Sequence, residues 1–246
     1  MTPGPRGRRH RTVAALAAGL TLCVAGGGAV IVASASSLGL TSRKLDAWTA
    51  ALVANAPTVI ACDNFEGLDG SLSARAVTDA ATCGSFTWTV HGGTWSTVSS
   101  QAIADGTPGA TATLAAGAAD AVVTANVSGA DTASRTGGLV VAHDGAADYL
   151  AAVLVGDVTG HVDLIAVDGG AEAVLATGNL TIGSSVELSI ARDGAQVTVR
   201  VDGAVLVTHT LDAGTLAALG AGSGAGLYAS SADVQMDDFR VTTIPT

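Results

Sequence analysis

Ser185-Val186-Glu187-Leu188-Ser189-Ile190-Ala191-Arg192-Asp193-Gly194-Ala195-Gln196-Val197-Thr198-Val199-Arg200-Val201-Asp202-Gly203-Ala204-Val205-Leu206-Val207-Thr208 decides the fold. Val186, Leu188 and Ile190 alternate with Glu187 and Ser189. Val197, Val199 and Val201 alternate with Thr198 and Arg200, and Val205 and Val207 alternate with Leu206 and Thr208. A period of two is that of a strand with one buried face. Asp193-Gly194 and Asp202-Gly203 lie between the runs, and Asp-Gly supplies the positive φ that tight hairpins need. Residues 185–210 therefore read as a three-strand meander.

The pattern extends in both directions. Strands are expected at 86–90, 94–99, 111–115, 120–128, 137–143, 149–156, 161–168, 171–177, 225–230 and 234–242, and a helical turn at 212–219. Gly92-Gly93 and Gly169-Gly170 read as further hairpins. About a dozen short strands imply an all-β, two-sheet antiparallel sandwich or jelly roll. Residues 58–246 suffice for a single core. With three Trp, two Tyr and three Phe in the chain, that core must be mostly Val, Leu, Ala and Ile.

The N-terminal part is different. Arg6, Arg8, Arg9 and Arg11 precede 31 residues, Thr12 to Ser42, without a charge. As a helix, Thr12 to Ala35 would span about 36 Å, enough to cross a bilayer with the arginines held on the cytoplasmic side. Residues 1–35 thus read as a signal peptide or a transmembrane anchor, and the chain beyond them as exported. Ala33-Ser34-Ala35 offers a small-x-small cleavage site, and Gly26-Gly27-Gly28 would loosen a permanent helix. Against cleavage, the apolar run is longer than a usual signal core. Cys23 follows Leu22, where a lipidation site needs a small residue, and reads as a buried residue of the segment. Residues 36–57 form a linker in which Lys44 to Ala54 has helical spacing at Leu45, Trp48 and Leu52 before Pro57.

Past Ala35 seven basic residues face all 21 acidic ones, a balance of −14 with histidine neutral. That excludes nucleic acid, which binds basic patches, and electrostatic docking on anionic lipid. Cys62 and Cys83 are the two cysteines of this part, and outside the cell a disulfide is the expected state.

The chain carries two family resemblances. Ser37-Leu38-Gly39-Leu40-Thr41-Ser42-Arg43-Lys44-Leu45-Asp46-Ala47-Trp48 resembles the signal region of secreted proteins of high-GC Gram-positive bacteria processed by SipW-type signal peptidase, implying a second cut near Ala47. Leu45 departs there from the small-residue rule. Residues 60–243 carry, in order, Cys62-Asp63-Asn64-Phe65, Trp88, Gly93-Thr94-Trp95, Gly138-Leu139-Val140, Asp148-Tyr149-Leu150, Val201-Asp202-Gly203, Gly226-Leu227-Tyr228 and Met236-Asp237-Asp238-Phe239-Arg240-Val241. This order resembles concanavalin A-like (laminin-G-like) jelly rolls of secreted bacterial proteins. The resemblance implies that the first and last strands pair near one sheet edge. It also implies that carbohydrate is the commonest ligand class, on a fold that equally hosts hydrolases and spacers.

No catalytic set is visible. Glucanases of this fold carry E-x-D-x-x-E on one strand, whereas the three glutamates here are Glu66, Glu172 and Glu187, with Leu188-Ser189-Ile190 after the last. Asp237 and Asp238 are adjacent, and on a regular strand would face opposite ways. Gly-x-Ser-x-Gly is absent, and Gly222-Ser223-Gly224-Ala225-Gly226 lacks the lysine of a phosphate loop. His161 with Asp163, and His143 with Asp144, lack zinc-ligand spacing and read as solvated. Asp63, Asn64 and Asp238 are the candidate ligands of a structural calcium, with strand or turn capping as the alternative. Trp88, Trp95 and Tyr149 are the aromatic candidates for a sugar face, Tyr149 beside Asp148 the best of them; both tryptophans also suit a core short of large residues. The expected function is a non-catalytic surface or secreted binding module for a cell-wall or extracellular glycan. The alternatives are a spacer contacting an envelope protein, and a glycoside hydrolase.

Overall fold

The computed structural model describes residues 21–25, 28–32, 56–130, 135–144, 147–156 and 160–245. The chain divides into two compact units, Met1–Ala56 and Pro57–Thr246. In the first, β1 (Thr21–Ala25) pairs antiparallel with β2 (Gly28–Val32), from Thr21↔Val32 to Ala25↔Gly28. The described residues of the apolar run are thus strands, and the helix expected there is not seen in them. Thr21, Val24, Val30, Ile31 and Val32 are β-branched and favour extended backbone. Among the described residues no helix is long and apolar enough to cross a membrane. The cleavage sites at Ala35 and Ala47 and the helix expected at Lys44 to Ala54 lie outside the described residues.

The second unit contains β3 (Val59–Asp63), β4 (Gly70–Ser71), α1 (Ala80–Cys83), β5 (Thr89–Val90), β6 (Trp95–Val98), β7 (Gln101–Asp105) and β8 (Ala110–Leu114). Next come β9 (Ala121–Ser128), β10 (Thr136–His143), β11 (Tyr149–Val155), β12 (His161–Asp168), β13 (Ala171–Asn179) and β14 (Ser185–Asp193). The last elements are β15 (Gln196–Val201), β16 (Ala204–Thr210), α2 (Ala213–Leu219), β17 (Gly224–Ala229) and β18 (Ala232–Thr242). They form two antiparallel sheets, one of seven strands in the order β13-β12-β11-β10-β17-β8-β5, the other of nine in the order β16-β15-β14-β9-β18-β7-β6-β4, with β3 also pairing with β18. The expected all-β sandwich is what forms.

The meander sits at the edge of the larger sheet as β14-β15-β16. Its second turn is Asp202-Gly203, with φ of 49° and 77°. Its first turn is displaced by one residue: Asp193 pairs with Gln196, so Gly194, at φ 57°, and Ala195 form the loop. Gly169-Gly170 joins β12 to β13 as expected. Gly92-Gly93 does not make a hairpin, because β5 belongs to the smaller sheet and β6 to the larger. The glycines lie where the chain crosses between them.

Between the sheets, Leu139, Leu150, Leu154, Leu164 and Leu227 of the smaller meet Leu188, Ile190, Met236 and Phe239 of the larger in one core. The ends of the unit close on each other, Asp63 pairing with Phe239, Cys62 with Arg240 and Ala61 with Val241. The carboxylate of Asp63 is buried beneath this pairing. Its Oδ1 accepts from the Phe65 amide (2.9 Å), the Thr78 hydroxyl (2.8 Å) and the Thr78 amide (3.3 Å), and its Oδ2 from Trp88 Nε1 (2.8 Å). Trp88 packs on Phe65 and Phe239 at centroid distances of 5.6 and 5.1 Å. Cys62 and Cys83 form the expected disulfide, joining β3 to α1.

Asp63→Ala would leave the Trp88 and Thr78 donors without their acceptor, an effect on the order of 3 kcal/mol. The midpoint of urea unfolding should fall accordingly, and less for Asp63→Asn, which keeps one acceptor oxygen. An unchanged midpoint in Asp63→Ala would contradict this role.

Candidate functional site

The smaller sheet is apolar on both faces. Residues of β10, β11, β12 and β17 that alternate with the core positions form a second cluster, Val140, Tyr149, Ala151, Val153, Ile165, Val167 and Tyr228. On this outward face two strands carry glycine because their neighbours approach closely. A Cβ on Gly226 would lie 2.0 Å from the Ala112 carbonyl oxygen, and one on Gly138 2.0 Å from that of Ala152.

At one end of the face a cleft of about 410 Å³ is lined by Tyr149, Tyr228, His91, Thr111, Glu172 and Ser230, together with Pro108, Gly109, Ala147, Val167 and Gly170. The chain has two tyrosines, and both are here. The register explains why. Tyr149 opens β11, Tyr228 lies on β17 opposite Thr111 of β8, and Glu172 lies on β13 opposite Val167. The Ser230 hydroxyl donates to the Tyr228 hydroxyl (2.9 Å), whose own proton points to Glu172 Oε2 at 3.5 Å. His143 stacks on Tyr149 with centroids 5.6 Å apart and rings 14° from parallel. His91 packs against His143 at 4.2 Å, and its Nε2 lies 2.8 Å from the Thr113 hydroxyl.

Burial sets the protonation states. It pushes the Tyr149 phenol up to about 12, aided by Tyr228 and the Glu172 anion. Tyr228 is raised by burial too, with Glu172 adding to it. Burial, then the adjacent His91, lowers His143 to about 4 against the pull of Asp144 and Asp148. Burial also lowers His91. At neutral pH the described lining of the cleft therefore offers two protonated phenols and the uncharged His91 imidazole beside the Glu172 carboxylate.

Of the sequence candidates, Tyr149 lies in this cleft, and Asp148 beside it accepts from the Gly169 amide at 2.6 Å. Trp88 and Trp95 do not line a ligand face; both are buried in the core, because the chain has few other large residues to fill it. His143, read as solvated, is buried instead, since the face packs it between His91 and Tyr149. His161 lies 3.4 Å from Asp163, as their shared strand face implies.

Asp63, Asn64 and Asp238 lie along a different groove of about 500 Å³, with Asn126, Glu187 and Arg240. Asp63 is occupied by its four donors, Asn64 Oδ1 accepts from the Glu66 amide, and Asp238 accepts from Asn126 Nδ2 at 2.8 Å. Among the described residues no group of three or more His, Cys, Asp or Glu is placed to hold a metal ion. The expectation that Asp237 and Asp238 face apart is also corrected. The register shifts between Asp237 and Arg240, with Asp238 at φ 51°. Met236 and Phe239 are both buried, so the extra residue leaves both carboxylates on the outward side. Burial, with Asp238, Glu66 and Asp63 nearby, raises Asp237.

No protein-family model and no curated protein matches the chain. Solved structures do. The carbohydrate binding module CBM66 of Bacillus subtilis is 17% identical with a TM-score of 0.50, over 63% of this chain and 93% of that one. The GH43B protein of the Bacteroides ovatus xyloglucan locus is 15% identical with a TM-score of 0.49, over 73% of this chain and 40% of that one. The Caenorhabditis elegans galectin LEC-6 is 14% identical with a TM-score of 0.37, over 51% and 84%. At such identity the likeness to the binding module is one of fold.

A histidine at about 4 in the folded chain and near its ordinary 6.5 when unfolded stabilises the fold fully above pH 6.5. That contribution declines as the pH falls and is gone below about pH 4. Thermal unfolding between pH 7.5 and pH 4 should therefore fall less steeply in His143→Gln than in the parent protein; equal slopes would contradict the assignment.

Proposed function

We propose that residues 58–246 are an exported, non-catalytic carbohydrate-binding module whose ligand occupies the tyrosine cleft. The observation that carries this is the convergence of both tyrosines on one cleft, from strands 79 residues apart, beside a carboxylate and hydroxyl groups. Sugar rings offer C–H groups to aromatic rings and hydroxyls to polar groups; Tyr149 and Tyr228, 8% and 4% exposed, line the cleft beside Glu172, Thr111 and Ser230. Hydrolysis needs two carboxyl groups across the scissile bond, and among the described residues Glu172 is the one carboxylate lining the cleft. The arginine cluster, the charge-free run behind it and the disulfide support a location outside the membrane. The glycan is then one of the cell wall or the surroundings.

The test is a glycan array and a cell-wall polysaccharide pull-down with the purified protein. Binding to at least one glycan is expected, weakened about fivefold or more by Tyr228→Ala or Tyr149→Ala, since an aromatic contact contributes about 1 kcal/mol beyond its area. Far-UV dichroism checks that the variants are folded. Binding to no glycan, or binding untouched by both substitutions, would overturn the proposal; in the first case co-purification with an envelope protein would favour a contact module instead.

A further inference from the structure

The cleft has a sign. Among the described residues no arginine or lysine lines it, and Glu172 gives it a negative charge. Six of the 11 basic residues and only Asp46 of the 21 acidic ones precede Pro57, which leaves five arginines against 20 acidic residues in the folded unit. Those five are committed elsewhere. Arg75 donates to the Phe65 and Glu66 carbonyls, and Arg135 pairs with Asp233 at 3.4 Å. Arg192 is buried with Asp120 at 3.7 Å, Arg200 reaches the Gly203 carbonyl, and Arg240 lines the other groove. Glu172 is exposed at the cleft, so its charge faces whatever enters. Its field already reaches both phenols, holding them further toward the protonated form.

Resting on the carbohydrate reading, we infer that the cleft takes uncharged glycans and that Glu172 sets this specificity by turning away sugars bearing carboxylate, sulfate or phosphate. A neutral sugar donates a hydroxyl to Glu172 in a charge-assisted hydrogen bond. An anionic sugar in the same place meets a like charge with no cation to offset it, and a juxtaposition of like charges is how interfaces reject wrong partners.

The experiment measures binding of the purified protein to immobilised glucan, mannan and galactan, each beside the same polysaccharide with its C6 hydroxyls oxidised to carboxylates. At low salt the oxidised form of whichever glycan binds should bind about tenfold more weakly, or worse. The ratio should shrink in about 0.5 M salt, where screening is short-ranged. It should shrink in the same way in Glu172→Gln, a substitution at an exposed position. Equal or tighter binding of the oxidised form overturns the inference and leaves carbohydrate binding standing. A ratio unmoved by Glu172→Gln, whatever salt does to it, overturns the role of Glu172. Silence on every neutral and oxidised glycan overturns the carbohydrate reading itself.

Discussion

A single buried carboxylate organises this fold. Asp63 ends the first strand of the sandwich, and its two oxygens take four hydrogen bonds from Phe65, Thr78 and Trp88. A charge out of water is tolerated only when its lone pairs are satisfied in this way. The bond to Trp88 fixes one of the two tryptophan rings of the core against Phe65 near the start of the unit and Phe239 near its end. The disulfide restrains the same corner and, for a loop of this length, contributes roughly 3 kcal/mol on the chain-entropy model. With β3 held to β18, the two ends of the domain are part of one sheet.

That use of tryptophan decides what is left for a ligand. The described residues contain Trp88 and Trp95, and both fill the core. The two tyrosines remain, and the smaller sheet places both on its outward face. The central strands of this sheet are buried on both sides and read as nearly continuous apolar runs, Leu139-Val140-Val141-Ala142 and Leu150-Ala151-Ala152-Val153-Leu154. Its floor is small and apolar, and the polar groups gather at one end where Glu172, Ser230 and Thr111 meet the phenols. The larger sheet is different: its exposed groove around Asp238 is acidic and polar, and Asp63 there serves structure.

Much of this architecture was legible from local pattern. The meander at 185–210 follows from strict alternation and glycine turns, and the expected strands at 161–168 and 225–230 match β12 and β17 within a residue. Short pairings were not legible. The strand expected at 86–90 is only Thr89–Val90 with an isolated bridge at Thr87, Gln101–Asp105 has Ile103 as its one β-branched residue, and Gly70–Ser71 has no apolar side chain. The site was legible in one residue, Tyr149. Tyr228, His91 and Glu172 join it through strand order, which local periodicity does not encode. The bulge at Asp238 was hidden for a related reason: one added residue reverses which side of a strand a side chain takes, and nothing in Asp237-Asp238 marks it. His143 looked like a turn residue because His91, which packs against its other side, is 52 positions away.

The sandwich supplies a rigid core and places its tryptophans there, and the tyrosine cleft is what remains for recognition. The central claim is therefore one of place, and backbone and side-chain chemical-shift mapping during titration with a bound neutral oligosaccharide tests it most directly. The largest shifts are predicted at Tyr149, Tyr228, Glu172 and Thr111. Shifts centred instead on Asn126, Glu187 and Asp238, with both tyrosines unmoved, would contradict it.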